Sequence, residues 1–494
     1  MRRGSGRTTA VPAEDRSDRT LAGTLRYPDD DPMQLNGTRH GHVSVAGAGV
    51  AGLATALMLA RRGHAVTVVE RDGFEVGPPL DSPAWQRRGI PHFLQPHAFI
   101  PRGRRELRGS LPDVYAALIE AGAHDVDIRG KLPGPTVPAD EDLQYLAVRR
   151  PLIEWALRRA VASEPRITVL HGRRVTGMDT DDGRVAALRV DGDALATGLV
   201  VDAMGRRSPL SGKPWATSDC GVTYYCRYYR QRDGFELPDG PWFLSPRGDL
   251  GYLAFASFPG DNRTFAAVLA VPPAVPEWRV FNEPAAFEAA VATIPALRSW
   301  VDPEGVEPLT AVLPMAGLRN SIAPRPVPGV FPVGDALCHT DPTLAHGLAF
   351  ALVHADTLAT ALTGHADPDD ALEVYLAAVL PEARERYEFA TALDEQRLRM
   401  WRGEQVDPAH HNGDYALFTM AAGAVAAVAD PDVFRVFNRR IGLLDSLSVL
   451  DSDRAMRRRI EEGFARVRAT PRPPAGPGRD DMLALAREAA AARG

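Results

Sequence analysis

Apolar and polar positions along the chain first follow a regular pattern at residue 42. Val43-Ser44-Val45-Ala46 predicts a short buried strand, and the small and apolar residues from Ala51 to Arg62, which stop at Gly63, predict a helix. The β-branched run from Ala65 to Val69 predicts a second strand. A strand, a helix and a strand within roughly 30 residues indicate a βαβ unit and therefore a parallel sheet.

The pattern changes further along the chain. Between Cys220 and Val271 aromatic and β-branched residues dominate, and the run Tyr252 to Phe258 is separated from Phe265 to Val271 by Pro259-Gly260-Asp261-Asn262, which predicts an antiparallel hairpin. Helical spacing of apolar residues recurs in five segments: Leu107 to Gly122, Arg150 to Ser163, Pro284 to Trp300, a segment after Gly334, and Asp370 to Arg468. The last segment needs a partner surface, so we expect it to pack against the rest of the chain.

Composition narrows the function classes. The chain has 494 residues, 45% hydrophobic and 24% charged, which are ordinary globular values, and a net charge of -6, which gives no basic surface for nucleic acid. Cys220, Cys226 and Cys338 form no CxxC pair, so the sequence indicates neither a zinc site nor a disulfide framework. No secretory or membrane-spanning segment is predicted. We therefore expect a cytoplasmic protein with no metal site and no membrane insertion.

A glycine-rich motif follows the first predicted strand. Gly47-Ala48-Gly49-Val50-Ala51-Gly52 has the Gly-x-Gly-x-x-Gly spacing in which one glycine permits a tight turn, the next lets backbone approach a pyrophosphate and the third lets helix and strand pack closely. Glu70 ends the second strand 23 residues after Gly47, where an acid that hydrogen-bonds a ribose is expected. The motif predicts a dinucleotide site, and by itself it fits both NAD(P) and FAD.

Two further motifs resemble flavoprotein monooxygenases of the para-hydroxybenzoate hydroxylase type. Val201-Asp202-Ala203-Met204-Gly205-Arg206-Arg207-Ser208 resembles the second motif of that family. Gly329-Val330-Phe331-Pro332-Val333-Gly334-Asp335-Ala336, followed by Pro342 and Gly347, resembles the third. In that family the Asp at the position of Asp335 contacts the ribityl chain of FAD, and the helix after it begins at the isoalloxazine.

Weaker matches extend the resemblance. Arg149-Arg150-Pro151-Leu152 resembles a helix start whose arginine lies near the flavin, Val175 matches a position whose backbone meets the adenine, and the segment Arg88 to Pro112, with Gln95-Pro96-His97, resembles the squalene epoxidase and geranylgeranyl reductase subgroup. The resemblance implies these cofactor contacts: Gly47, Gly49, Ala51, Gly52, Glu70, Arg71, Arg150, Val175, Asp202, Gly205, Gly334, Asp335, Pro342 and Gly347.

The third motif also departs from the family. Ala345-His346-Gly347 stands where Gly-x-Gly is usual, so the backbone beneath the flavin carries an additional methyl group. His339 and His346 are weak candidates for acid/base catalysis, because an unperturbed histidine titrates near pH ~6.5. Equally, a histidine at a helix start serves for capping or packing.

The fold expected from these segments is α/β. It comprises a Rossmann-like FAD-binding domain of the glutathione-reductase type, an inserted, mostly antiparallel β-sheet domain and a helical C-terminal region. The expected boundaries are a disordered tail at 1–40, the first part of the FAD-binding domain at 41–215, the substrate-binding sheet at 216–310, the FAD-binding return segment at 311–365 and the helical region at 366–494.

The sheet domain is expected to form a mainly apolar roof over the substrate, with about half of its rings on the packed back face. The aromatic residues concerned are Tyr224, Tyr225, Tyr228, Tyr229, Trp242, Tyr252, Phe255, Phe258 and Phe265. In the helical region, Met400-Trp401 is the best candidate for a contact with the substrate, with core packing as the alternative.

The resemblance implies an FAD-dependent monooxygenase. Such an enzyme hydroxylates or epoxidises an apolar, aromatic or polycyclic small molecule of secondary metabolism, such as an antibiotic precursor, through a flavin C4a-hydroperoxide. A second Gly-x-Gly-x-x-Gly is absent, so NAD(P)H would dock transiently or act through a partner flavin reductase.

Three alternatives stay open. One is a flavin-dependent reductase or dehydrogenase, and another is a binding protein with a flavin fold. The third is a halogenase, for which Trp-x-Trp-x-Ile-Pro is missing and Lys131 is only a vague match to the family's lysine. The sequence leaves the substrate and the oligomeric state open.

Overall fold

The structure is a computed structural model that describes residues 41–73, 87, 89–90, 92–237, 246–404, 415–469 and 475–492. The tail predicted at 1–40 lies outside these residues. The α-helices of the described residues are α1 (Val50–Arg61), α2 (Pro101–Ser110), α3 (Pro112–Glu120), α4 (Arg150–Ala162), α5 (Pro284–Thr293), α6 (Pro295–Arg298), α7 (His346–Gly364), α8 (Pro368–Trp401), α9 (Tyr415–Ala426), α10 (Pro431–Ile441), α11 (Arg454–Arg468) and α12 (Arg479–Ala491).

Strands alternate with these helices in the first half of the chain and cluster in its middle. They are β1 (His42–Ala46), β2 (Ala65–Glu70), β3 (His124–Asp127), β4 (Gln144–Ala147), β5 (Ile167–His171), β6 (Val175–Asp181), β7 (Arg184–Val190), β8 (Asp193–Ala196), β9 (Val200–Asp202), β10 (Ala216–Asp219), β11 (Thr223–Gln231), β12 (Arg247–Asp249), β13 (Ala254–Pro259), β14 (Thr264–Val271), β15 (Val306–Pro308), β16 (Leu313–Met315), β17 (Arg319–Ile322), β18 (Val330–Pro332) and β19 (Cys338–His339).

A parallel sheet in the order β18-β9-β1-β2-β5 forms the centre of the flavin lobe, by which we mean this sheet with the helices that cover it. The apolar residues of β1 are buried, because helices cover the sheet. The edge strand β18 is added by a segment more than 100 residues after β9, and Val330 pairs with Val200. These features confirm the predicted α/β fold class.

An antiparallel sheet, here called the roof sheet, contains β12-β13-β14-β11-β15, and β16 also pairs with β11. The predicted hairpin is present between β13 and β14, although β13 begins at Ala254 rather than at Tyr252. The Tyr252 ring precedes the strand and stacks on Trp278, with ring centroids 5.9 Å apart. The back of the roof sheet is covered by α5 and α12.

Two predicted helices are interrupted at proline. The segment Leu107 to Gly122 contains the end of α2 and all of α3, because Pro112 excludes the helical conformation at Leu111 (φ -134°). The segment Pro284 to Trp300 divides in the same way at Ile294 before Pro295. The prolines therefore begin new helices where apolar spacing alone predicts continuous ones.

The helical C-terminal region packs on the flavin lobe, as predicted. Leu372, Tyr375 and Leu376 of α8 lie in the same buried cluster as α1 and β1. The Tyr375 hydroxyl donates a hydrogen bond to the Pro332 carbonyl at the end of β18 (2.6 Å). Within the described residues α7 alone is long and apolar enough to cross a membrane, and most of it is buried in the core of the fold.

Candidate functional site

The glycine-rich loop between β1 and α1 has the close contacts that the motif predicts. Gly47 has φ +99°, and a Cβ added there would lie 2.8 Å from the Ala203 carbonyl oxygen. A Cβ at Gly52 would lie 1.9 Å from the Gly47 carbonyl oxygen. These glycines therefore allow the turn and the helix to pack against the strand ends.

Gly49 has a different role, because its surroundings are open. A Cβ at Gly49 would meet only the Arg150 Nη2, at 3.7 Å. Gly49 is the N-cap of α1 and makes no side-chain capping hydrogen bond, so the first N–H groups of α1 point outward without intrahelical acceptors. This open cradle, with the positive end of the helix and the nearby Arg150, fits the pyrophosphate of FAD.

A buried ion-pair network supports the loop. Glu70 accepts a hydrogen bond from the Ala48 N–H (2.7 Å) and lies 2.7 Å from the Arg87 guanidinium, which also pairs with Asp72 and Glu154. Burial opposes ionisation of Glu154, but Arg150 and Arg87 hold its pKa below the ordinary value. Glu70, predicted to contact a ribose, is thus also a fixed part of the loop.

Arg87 is a functional residue that the sequence reasoning missed. Its side chain is almost fully buried, and it also donates to the Ala48 carbonyl. Nothing in the sequence around Arg87-Arg88 indicates that the Arg87 side chain is buried. Arg71, which was predicted, is exposed and donates to the Gly89 carbonyl (2.6 Å), and Arg88 lies outside the described residues.

The second and third motifs meet the first at the carboxyl ends of the parallel strands. A Cβ at Gly205 (φ +73°) would lie 3.8 Å from the Asp335 Cβ, and a Cβ at Gly347 would lie 3.7 Å from Asp335 Oδ1. A Cβ at Gly334 would lie 3.1 Å from the Ala51 Cβ. The half-buried Asp335 carboxylate therefore lies between the second motif and the start of α7, one residue after the contact with the first motif, and it fits the ribityl hydroxyls of FAD.

Other residues predicted to contact the cofactor make contacts that stabilise the fold around the site. Burial raises the pKa of Asp202, whose carboxylate accepts from the Met204 N–H and the Ser211 hydroxyl, so it holds the turn after β9. Val175 begins β6 and packs in a cluster with Ala46 and Val69, next to the ends of β1 and β2. Pro342 begins the short 3-10 helix Pro342–Leu344 before α7.

The start of α7 is formed by an alanine in a glycine-like conformation. Ala345 has φ +59° and ψ +30°, a left-handed conformation that costs a residue with a Cβ about 1–2 kcal/mol. Although Ala345 replaces the usual glycine, the backbone therefore keeps the left-handed turn that glycine would form. Its methyl group is buried rather than exposed.

The two candidate catalytic histidines differ in their surroundings. His346 is buried against Phe350, neither ring nitrogen has a hydrogen-bond partner among the described residues, and burial places its pKa well below the ordinary value. These surroundings favour the packing alternative. His339 lies at the site: its Nδ1 is 2.7 Å from the Arg319 carbonyl, and its Nε2 is 3.9 Å from Asp335 Oδ2.

His354 was missed and positions the third motif. Its Nδ1 accepts a hydrogen bond from the Gly334 N–H (3.0 Å), and burial lowers its pKa to about 3, so the ring is neutral. The ring also stacks on Phe350, with centroids 5.3 Å apart. A polar residue within the otherwise apolar run 348–355 of α7 is the sequence signal that could have identified it.

A loop containing His92 and His97 closes one side of the site. His97 Nδ1 lies 2.7 Å from the Gln95 carbonyl and must donate to it, which leaves Nε2 to accept from Arg150 Nη1 at 3.4 Å. Burial and the charge of Arg150 lower the pKa of His97 to about 3 and that of His92 to about 2. Both rings are therefore neutral hydrogen-bonding groups near Arg150.

A buried charge network, here called the Arg397 network, fixes the turn before α7. The Arg397 guanidinium donates to Asp341 (2.8 Å) and Asp394 (2.7 Å), and the Tyr224 hydroxyl donates to Asp341 (2.5 Å). Asp394 also accepts from the Asn320 amide (2.8 Å). The network thus joins α8, the roof sheet and the third motif.

Ligand atoms of Cys220, Asp341 and Asp394 lie within 4.8 Å of one another, close enough for a metal ion. The positive charge of Arg397 already lies among them, and burial raises the pKa of the Cys220 thiol, which opposes its ionisation. These three side chains therefore suit the guanidinium of Arg397 better than a metal ion.

Comparisons with known proteins support the flavin assignment. Residues 42–144 match the family model described as FAD dependent oxidoreductase. No curated protein sequence matches the chain.

Solved structures with a similar fold include three flavin proteins. The probable FAD-dependent monooxygenase PqsL from Pseudomonas aeruginosa is 18% identical, with 73% of this chain and 99% of that chain covered and a TM-score of 0.53. p-Nitrophenol 4-monooxygenase PnpA from Pseudomonas putida DLL-E4 is 15% identical, with 82% and 98% covered and a TM-score of 0.55. The flavin-dependent brominase Bmp2 is 16% identical, with 87% and 100% covered and a TM-score of 0.57.

At these identities the likeness shows the fold. Together with the matched segment, it supports the prediction of an enzyme of the FAD-dependent oxidoreductase kind.

Proposed function

We propose that this protein is an FAD-dependent monooxygenase that inserts one oxygen atom into an apolar, aromatic or polycyclic small molecule, by hydroxylation or epoxidation. The observation that carries the proposal is the convergence of the three motifs at the carboxyl ends of the parallel strands, where Gly334 lies against Ala51 and both Gly205 and Gly347 lie beside Asp335. When bound there, FAD would supply the redox chemistry. The chain itself would bind FAD and the substrate, orient them and exclude water from the site.

The roof sheet is tied to the cofactor site by side chains of β11. The Cys226 thiol donates to Gln95 Oε1 (3.1 Å) in the loop that carries His97, and Tyr224 contacts Asp341 and Thr343 of the third motif. Gln95 in turn donates to the Leu313 carbonyl of β16 (3.0 Å). These contacts support a closed site in which a substrate would lie between the roof and the flavin.

The aromatic residues of the roof divide between its two faces, as predicted. Tyr225 and Tyr229 belong to the packed back cluster with Phe255 and Phe265. Tyr224 and Cys226 belong to a separate cluster with Trp401, on the face toward the site. Trp242 lies outside the described residues. The apolar face beside the site supports an apolar substrate.

Among the alternatives, a reductase of the geranylgeranyl reductase kind uses the same cofactor site and differs in needing no oxygen. Halogenase activity has less support, since Lys131 is exposed at the end of the 3-10 helix Ile128–Lys131. We further propose NAD(P)H as the reductant, directly or through a flavin reductase, a cytoplasmic location and a role in secondary metabolism. The relation to the squalene epoxidase and geranylgeranyl reductase subgroup belongs to the same proposal.

The deciding experiment begins with the cofactor. Purified protein should release FAD on denaturation, identified by chromatography, and added FAD rather than NAD should raise its melting temperature, because a ligand at 100 times its dissociation constant stabilises by ~2.7 kcal/mol. Oxygen uptake should then be measured with NADH, with NADPH and with reduced flavin from a separate reductase, in the presence of aromatic test compounds. Stabilisation by NAD alone would refute the FAD assignment. Turnover that proceeds without oxygen would favour the reductase.

A further inference from the structure

Arg247 is an arginine that has no acidic partner among the residues that the structure describes. It lies on β12, and its side chain has no hydrogen bond and no ion pair among the described residues. Its guanidinium carbon lies 5.8 Å from the ring centroid of Phe437 in α10. The side chain is exposed, yet enough protein surrounds it that desolvation lowers its pKa. Exposure together with surrounding protein places the side chain in a recess rather than on an open surface.

The strand register places Arg247 on the face of the roof sheet that looks toward the flavin site. Arg247 pairs with Ala256, Ala256 with Val268, and Val268 with Cys226, so these residues form one row across four strands. Residues that lie opposite each other in a sheet share a face. The row therefore begins at Arg247 and ends at Cys226, whose thiol contacts Gln95 at the cofactor site.

The neighbouring row confirms the orientation. Gly248 pairs with Phe255, which belongs to the packed back cluster, and a Cβ at Gly248 would lie 2.7 Å from the Phe255 ring. Asp249, two residues after Arg247, returns to the site-facing side and accepts from the Trp401 indole N–H at 3.1 Å. Its carboxylate is therefore engaged by Trp401, and no ion pair with Arg247 is present within the described residues.

A continuous apolar cluster leads from the Phe437 ring at Arg247 toward the third motif. Phe437, beneath the guanidinium, belongs to the same apolar cluster as Leu344 and Ala345 at the start of α7, and Tyr145 of β4 belongs to it as well. Strands lie about 4.8 Å apart, so three strand spacings separate Arg247 from the Cys226 end of the row by about 14 Å. That length suits a molecule with several fused or linked rings.

We propose that Arg247 binds a carboxylate at the far end of an elongated aromatic substrate whose other end lies against the flavin. The proposal rests on the proposed function for the position of the flavin. A guanidinium in a recess is less fully hydrated than one on an open surface, and a carboxylate would satisfy it with two parallel, charge-assisted hydrogen bonds. The Phe437 face supports the same planar cation from the other side.

The test measures binding in the oxidised holoenzyme without any reductant. Three aromatic acids of increasing length, benzoate, 2-naphthoate and anthracene-2-carboxylate, are titrated by calorimetry beside their uncharged carboxamides. The longer acids should bind roughly 10- to 100-fold more tightly than their amides, because a hydrogen bond to a charged group is worth ~1.5–3 kcal/mol.

Variants assign the preference to one residue. Arg247→Gln should abolish the preference for acid over amide, and Arg247→Lys should retain part of it, since lysine keeps the charge but loses the planar fork. Arg279→Gln is the matched control and should leave the preference unchanged. Arg279 is also exposed, but it lies in the 3-10 helix Pro276–Asn282, whose Trp278 and Phe281 pack in the cluster behind the roof sheet.

Two results would overturn the proposal: no acid binding more tightly than its amide, or an acid preference that survives in Arg247→Gln. Failure of the proposed function would look different. The holoenzyme would then show no oxygen-dependent turnover, while the preference for acids and its loss in Arg247→Gln would still be measured.

Discussion

The glycine-rich loop and the Arg397 network both position the cofactor site, but they are built in opposite ways. The loop uses backbone: Gly47, Gly49 and Gly52 lie within six residues, and their function depends on missing side-chain atoms. The network uses buried side chains, both charged and neutral, from β11, β17, α8 and the turn before α7, brought together from positions up to 177 residues apart. The first region should therefore fail when atoms are added, and the second when charges are removed.

The largest effect should follow from removing the helical region. Truncation after Gly364 deletes Tyr375, its hydrogen bond to Pro332, and the apolar face of α8 that lies in the core of the flavin lobe. We expect insoluble protein or a simultaneous loss of flavin and activity, measured by soluble yield and FAD content. Truncation before Arg479 is the control and should leave FAD bound, because α12 packs on α5 behind the roof sheet. A soluble, active chain ending at Gly364 would show that α8 is a separable module.

Within the Arg397 network, Arg397→Gln should lower the free energy of unfolding by about 3–5 kcal/mol, since it leaves the buried Asp341 carboxylate without its guanidinium. Chemical denaturation with saturating FAD measures the change. Arg399→Gln, two residues away, removes only an exposed pair with Glu404, and it should leave the free energy of unfolding almost unchanged. Equal losses in the two variants would contradict a structural role for the network.

In the loop, Gly49→Val should abolish most FAD binding with little change in the stability of the apoprotein. The added side chain meets no backbone atom of the fold, but it fills the space in front of the α1 N-terminus. FAD content and apoprotein melting temperature should be measured together. Gly177→Val, at another glycine with open surroundings, is the control and should keep its flavin. Full FAD occupancy in Gly49→Val would show that the pyrophosphate does not bind at Gly49.

The smallest effect concerns pH. Burial and the neighbouring Asp341 raise the pKa of Asp394 to about 8, so the folded chain keeps a proton that the unfolded chain releases near pH ~4. Stability from this proton is complete below about pH 4 and is lost as the pH rises to about 8. Asparagine cannot titrate, so the melting temperature of the parent protein minus that of Asp394→Asn should fall between pH 5 and 8.

The exposed Asp233→Asn should show a constant difference over the same range. Asp341, with a pKa lowered to about 2, titrates below this window and does not disturb the comparison. A difference for Asp394→Asn that also stays constant with pH would show that Asp394 is ionised in the folded protein.

The same contrast explains what the sequence could predict. The βαβ unit, the glycine motif and the position of Asp335 follow from signals contained in short segments, and the structure brings these residues together. Arg87 and Arg397 act through partners far away in the chain, and nothing near them in sequence distinguishes them from neighbouring surface arginines. His354 stands out as a polar residue among apolar ones, but its partner, the Gly334 N–H, is not indicated by the sequence. The inward position of Arg247 likewise becomes visible only through the register of four strands.

The position of β18 at the edge of the parallel sheet also determines the order in which the protein can be completed. During synthesis β9 emerges with an unpaired edge, and its partner follows only after all strands of the roof sheet have left the ribosome. Tyr375, which anchors the end of β18, emerges later still. The parallel sheet of the nascent flavin lobe thus keeps an unpaired edge until β18 is synthesised. Division of the gene at residue 215 would separate strands that must fold together.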